Sequence, residues 1–514
     1  MPERIAPHWA GAAEWQRAGA CYAASAKRAR RASQRSHEVE CWRLAADAFD
    51  RAGDHERSFD GRCDSIHALL VVQGVPRAQA AIDGLLAAAK TDAEHAAALT
   101  AKATAALMAA DHPTGIAAAA RALELTRDLA SPWPRFQAAR LQAVGLAQAG
   151  RTAEALAIIE PYRSLVEAEG TPEQRGNFWA DYAYVLNAVR RLRDTDFALQ
   201  KAIDNAAALG DIAELATLTS NLATVKGNLG QAAEALTLAQ RALALRAQLG
   251  PTDGPEGAVL ETYVGLYCGL VGRFGEALQH LDNALACFGR DKQVLWTALA
   301  SNHKAQLLID LGQFARAQQA LAYEAPPIDH VRARGATVAA RLARALGQSG
   351  QDRIDEAVAL LAAGGDPHVR MHALLDRACC DDDGPDLERY DDVLRMAMQL
   401  EFAGVAMKVR LLRAQAQSRA GRIAEAAAAM REIVGQFPTL QPVDLYFGEA
   451  WWIAAQVFDA NDDRDDALMA LAQGAKWVRQ VALPNVPASF RESFLQRNPS
   501  NRALLAAADA KLVR

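Results

Sequence analysis

The sequence predicts an all-α fold, a right-handed superhelical solenoid of about eleven antiparallel helix hairpins, and three observations carry that expectation. About one residue in five is alanine, and arginine outnumbers lysine more than fourfold; this composition favours helices and has few β-branched runs. A short pattern, a glycine followed four residues later by Glu-Ala-Leu, recurs along the chain. Its copies and the polar turns between them stand about 39 residues apart on average, the length of two helices of about 15 to 18 residues with two turns.

The clearest copies start at Gly150, Gly230 and Gly272 and place Glu154-Ala155-Leu156, Glu234-Ala235-Leu236 and Glu276-Ala277-Leu278 in register. Gly421 precedes Glu425-Ala426-Ala427, and weaker copies pair Gly312 with Ala317, Gly350 with Glu356-Ala357, and Asp462 with Asp466-Ala467-Leu468. Gly74 and polar turns near Asp111, Arg193 and Asp381 to Asp383 complete the series. The glycine supplies the left-handed backbone that ends a first helix, and the small alanine five residues later lets the second helix lie close against it. In the Gly230 copy, Leu222-Ala223 on one side and Ala235, Ala239, Ala242 and Leu243 on the other form an apolar stripe that only stacked neighbours can cover.

Residues 36–482 are therefore assigned to the solenoid, 1–35 to an N-terminal helical linker or cap, and 483–514 to C-terminal capping helices. The net charge of −5 over 514 residues argues against a dominant nucleic-acid footprint, and no direct nucleic-acid contact is expected. No window approaches twenty uninterrupted apolar residues, and the start, Met1-Pro2-Glu3-Arg4, lacks the pattern of a secretory signal. A cytoplasmic location without membrane association is expected. Seven scattered cysteines, never spaced as CxxC, signal neither a disulfide framework nor a zinc ribbon.

The positions Leu222, Ala223, Gly230, Ala235 and Ala242, repeated as Gly265, Gly272, Ala277 and Ala284 and near the end as Trp451, Ala455 and Ala467, resemble tetratricopeptide repeats. The longer period, the opening His8-Trp9-Ala10-Gly11 followed by Ala18 and Tyr22, and the closing Pro487 to Leu495 with Asn501-Arg502-Ala503-Leu504-Leu505 are similar to the repeat region of maltose-regulon-activator-type signal-transduction ATPases and bacterial transcriptional activators. That resemblance implies a sensor or interaction arm. No GxxxxGK[S/T] phosphate loop occurs in these residues, so the nucleotide-binding module of such regulators would lie outside this chain.

Several clusters invite a chemical reading. Gly265, Gly269, Gly272 and Gly275 lack the preceding strand and following lysine of a phosphate loop and read as turn and close-packing sites. His368 and His372, at i and i+4, share a helix face on which a divalent metal could sit with Cys379, Cys380 or Asp381 as third ligand; HExxH is missing, and the expectation is a packed pair. Cys379-Cys380, with only Arg377 as a nearby cation to activate a thiol, read as packing residues, with a redox-active pair as the alternative. Lys27, Arg28, Arg30, Arg31 and Arg35 read as a solvated face, with docking onto another domain as the alternative, and Trp451-Trp452 as packing aromatics, with Trp452 facing a groove as the alternative.

Stacked hairpins turn slightly from one to the next, so the first helix of each pair lines a concave groove. The repeat frame points Arg140, Asn187, Arg190, Ser220, Thr224, Asn302 and Gln306 toward it. The expected function is non-catalytic binding of a protein or peptide ligand, with a regulatory ATPase or a small inducer as further partner classes, and no cofactor or metal. The alternative is a detached C-terminal repeat region of an ATP-dependent transcriptional regulator.

Overall fold

The computed structural model describes residues 2–362, 365–380 and 386–512. Among them every regular element is helical. Antiparallel hairpins follow one another from Trp15–Arg31 with Arg35–Arg51 to Phe447–Ala460 with Arg464–Lys476, and the short helices Arg491–Gln496 and Pro499–Leu512 come last. The chain forms two compact units, residues 1–218 and 219–514, whose division falls inside the helix Ile212–Asn228.

The recurring motif does what its chemistry implies. The backbone is left-handed at Gly150, Gly230, Gly272, Gly312 and Gly421. The alanines five residues on, Ala155, Ala235, Ala277, Ala317 and Ala426, are fully buried against the preceding helix. In the copy assigned to Gly350, the left-handed residue is Gly347, and Gly350 instead caps the helix Gln351–Leu360. At the polar turns the same backbone is taken by Ala110, Arg190 and Asp462, so glycine marks this junction without being required at it.

The motif's arginine and glutamate also have a role. Arg151, Arg191, Arg273 and Arg422 stand as N-caps and pair with Glu154, Asp194, Glu276 and Glu425 three residues on. Each acid thus sits in the first turn of a second helix, where the helix dipole also favours it. Where Gln231 replaces the arginine, Lys226 reaches Glu234 instead, at 3.2 Å.

In the first unit, an end-to-end contact ties early and late hairpins. Arg31 Nη2 pairs with Glu173 at 2.7 Å and Nη1 donates to the Leu209 carbonyl at 3.4 Å. Arg30 and Arg35 both pair with Glu38, whose side chain is fully buried, at 2.7 and 2.8 Å. The basic run is therefore engaged largely inside its own unit.

The second unit also closes on itself. The amide of Gln441 donates to the Gly230 carbonyl at 2.6 Å, and Gly230 meets Gly404 so closely that a Cβ on either would lie 3.0 to 3.1 Å from the other's Cα. The C-terminal segment crosses the hairpin turns: Gln313 donates to the Ser493 hydroxyl at 2.6 Å, and that hydroxyl donates to the Leu311 carbonyl at 2.8 Å. Asn498 caps the helix Val294–Asp310 by donating to the Asp310 carbonyl at 2.8 Å. Phe274 and Phe494, both fully buried, pack with ring centres 5.7 Å apart.

Candidate functional site

Closure of the second unit leaves a cavity of about 620 Å³ on the inner side of its hairpins. Most of its wall is made by the first helices of successive pairs, Val294–Asp310, Asp329–Ala345, Pro367–Ala378, Ala403–Arg419 and Phe447–Ala460, together with the loop that carries Asp444; Tyr390 of a second helix and Asn498 to Ser500 at the C-terminal helix complete it. Helical spacing explains which side chains reach it. Lys408, Leu412, Gln415, Ala416 and Arg419 form one stripe, and Glu449, Trp452, Ile453 and Gln456 another.

The lining is strongly polar and largely self-paired. Arg341 pairs with Asp310 at 2.9 Å, lies 3.8 Å from Glu449, and donates to the Asp444 carbonyl at 3.3 Å. Arg344 pairs with Asp376 at 3.1 Å and donates to Cys380 Sγ at 3.5 Å. Behind the wall, both Nη atoms of Arg334 donate to the two oxygens of Asp444. Asp444 adopts left-handed backbone to present that carboxylate, a conformation stored only where its surroundings hold it.

Electrostatics follow from burial and neighbours. Burial raises the Asp444 carboxyl, but Arg334, His372 and Lys408 outweigh it and hold it well below the usual carboxylate range. Asp310 goes the other way: burial pushes it up to about 6 against the pull of Arg341. Burial also holds His303 down at about 4 and, with Lys408 close by, His372 well below 6.5. These imidazoles are neutral at pH 7.

His368 and His372 share a face, their ring centres 4.6 Å apart. Their surroundings oppose a divalent cation. Lys408 Nζ lies 3.4 Å from His372 Nδ1, and the charge of Arg334 acts on both rings. No cluster of three metal-ligating side chains occurs among the described residues; Asp381 lies outside them. Cys379 is likewise no activated thiol, since burial pushes it up to about 11. Gly265 packs tightly, as expected: a Cβ there would lie 2.8 Å from Leu281 and 3.1 Å from the Ala277 carbonyl.

The seven residues assigned to the concave face divide between the units. In the first, Arg140 pairs with Asp181 on the next first helix at 2.7 Å. Asn187 and Arg190 are half-buried at a helix end, Arg190 in the left-handed turn itself. In the second, the Thr224 hydroxyl donates to the Ser220 carbonyl one turn back, at 3.3 Å. Asn302 is fully buried and accepts from the Tyr323 hydroxyl at 2.8 Å. Gln306 lies beside the cavity with His303, and when its amide oxygen faces Arg341 it accepts from Nη1 and Nε at 3.2 and 3.1 Å. Arg341, Arg344, Lys408, Arg419 and Asp444 were not assigned from sequence; the available signal was a lone lysine inside the buried run Gly404 to Val409. Trp452 lines the cavity, whereas Trp451 packs on Phe437 at 4.8 Å.

Residues 214–290, two hairpins, match the family model for the tetratricopeptide repeat. None of the curated proteins compared with the chain matches it. Among solved structures, a Rap protein complexed with competence and sporulation factor is 12% identical, with 82% of this chain and 98% of that one covered and a TM-score of 0.41. The apo form of the quorum sensor NprR from B. thuringiensis is 13% identical, with 74% and 99% covered and a TM-score of 0.44. The APC/C hetero-tetramer Cut9-Hcn1 is 11% identical, with 95% of each chain covered and a TM-score of 0.47. With its left-handed hairpin junctions and buried motif alanines, the chain is an all-α helical-repeat protein, of which residues 214–290 match the tetratricopeptide repeat.

Proposed function

We propose that the chain is a non-catalytic scaffold that takes a peptide or protein segment into the inner groove of its second unit, as the sensing arm of a bacterial regulatory system. The observation that carries this reading is the 620 Å³ cavity walled mostly by five successive first helices, the surface that stacked hairpins offer for recognition. The titrating groups support binding rather than chemistry. Asp444, Arg341 and Arg344 are held in ion pairs, half-buried His303 and buried His372 are neutral, and the cysteine on the wall is a protonated thiol. The regulatory role draws on the end segments that resemble those of signal-transduction ATPases. Ligand capture would then be relayed through the closing contacts at Gly230 and Ser493, which join distant hairpins of one unit.

A displayed library of random peptides panned against the full-length chain tests this reading. Enriched sequences should bind wild type and be excluded by Gln415→Trp, which fills the cavity from an inner helix. Enrichment that Gln415→Trp leaves unchanged would place recognition elsewhere.

A further inference from the structure

We propose, on the reading that this groove binds a peptide, that its ligand is an extended acidic segment whose carboxylates seat on Lys408 and Arg419. Lys408 is only 8% exposed yet lines the cavity. Its ammonium group carries three donors; one is directed at His372 Nδ1, 3.4 Å away, and among the described residues no carboxylate stands within ion-pairing distance. The carboxylate that feels its charge, Asp444, is already paired with Arg334; a buried ammonium so weakly compensated is costly, and this one opens onto space large enough for a ligand.

The other cations of the wall are accounted for. Arg341 has Asp310, Arg344 has Asp376, and Arg334 behind them has Asp444. Arg419 is the second exception: it is exposed, lines the same cavity and pairs with no acid among the described residues. Asp444 shows from within the chain how the site treats a carboxylate, since the Arg334 guanidinium and, more weakly, the Lys408 ammonium hold its negative charge. An acidic ligand would do for Lys408 what Asp444 does for Arg334.

Spacing makes the proposal specific. Lys408 and Arg419 are eleven residues apart on one face of one helix, or about 16 Å along its axis at 1.5 Å per residue. An extended chain advances about 3.3 Å per residue, so two carboxylates four to six residues apart match the two cations. Trp452 and the Gln415 and Gln456 amides line the same cavity, ready to receive the intervening backbone.

The test is an array of dodecapeptides in a Gly/Ser/Tyr background, carrying two glutamates two to eight residues apart, with lysine-substituted and uncharged counterparts, probed with the full-length chain. The expected result is selective binding of the acidic members with an optimum at four to six. Lys408→Met, which keeps the stem and removes the charge, and Arg419→Ala, at an exposed position, should each weaken the best member about tenfold, the scale of one charge-assisted hydrogen bond. Circular dichroism of both variants reports on folding, and Arg419→Ala keeps the test decisive if Lys408→Met unfolds. Equal binding of lysine and glutamate members, or indifference to both substitutions while Gln415→Trp abolishes binding, would overturn the acidic assignment and leave the groove reading standing. Binding by no member of any charge would overturn both.

Discussion

Arg334 and Asp444 face each other as a two-pronged ion pair across 110 residues of sequence, joining the helix Asp329–Ala345 to the loop ahead of Phe447–Ala460. Their side chains are 12% and 7% exposed. The pair holds that loop against the inner wall of the second unit, and with it the Asp444 carbonyl that Arg341 also contacts.

Removing one partner should therefore cost more than removing both. Asp444→Ala leaves a buried guanidinium without its counter-charge and is expected to destabilise by about 3–5 kcal/mol. The double variant Arg334→Met, Asp444→Leu replaces charge with volume and should lose much less. Urea denaturation followed by tryptophan fluorescence distinguishes the two; equal losses would mean that the pair is not the tie described.

Acid sensitivity should split into opposing parts. His303 titrates at about 4 in the fold against 6.5 ordinarily, so between these values only the unfolded chain takes up its proton, and stability falls as pH drops through that window. Asp310, raised to about 6 from 3.8, holds its proton in the fold first, so its contribution rises as pH drops from 6 to 3.8. His303→Gln should flatten the acid loss between pH 6.5 and 4, and Asp310→Asn should steepen it. Denaturation midpoints measured at half-unit pH intervals give both slopes; slopes of the same sign would contradict the burial described for one of them.

Two junction glycines should differ. At Gly421 a Cβ would meet nothing within 4 Å, so Gly421→Ala costs only the left-handed backbone, about 1–2 kcal/mol. At Gly312 the same atom would lie 2.5 Å from the Ser493 carbonyl oxygen, adding an overpacking cost of about 1–3 kcal/mol. Gly312→Ala should therefore have the lower melting temperature in a thermal scan. The reverse order would argue against the C-terminal closure.

Tyr323 should matter through one atom. Its hydroxyl supplies the hydrogen bond to fully buried Asn302, so Tyr323→Phe leaves a carbonyl oxygen unsatisfied and should cost about 1–3 kcal/mol in the same denaturation assay. A change within error would mean that Asn302 finds another donor.

The hairpins were legible because the motif records local physics. Gly230 and Ala235 report a turn and a close approach within a few residues, and both do so in the fold. The groove was less legible because it depends on closure between distant segments. Nothing near Lys408 in sequence announces Asp444, and nothing near Gly312 announces Ser493. The frame that placed Asn302 on the inner helix could not show that Tyr323 covers it. The Gly350 copy was misplaced by three residues because an N-capping glycine and a left-handed one look alike in sequence.

Hydrogen–deuterium exchange of the full-length chain, with and without the best-binding peptide from the array, locates the ligand on the helices. Exchange should slow in Asp329–Ala345, Ala403–Arg419 and Phe447–Ala460, the inner helices that carry Arg341, Lys408 and Glu449, if the peptide occupies the groove. Slowing confined to outer helices or to residues 1–218 would contradict that placement.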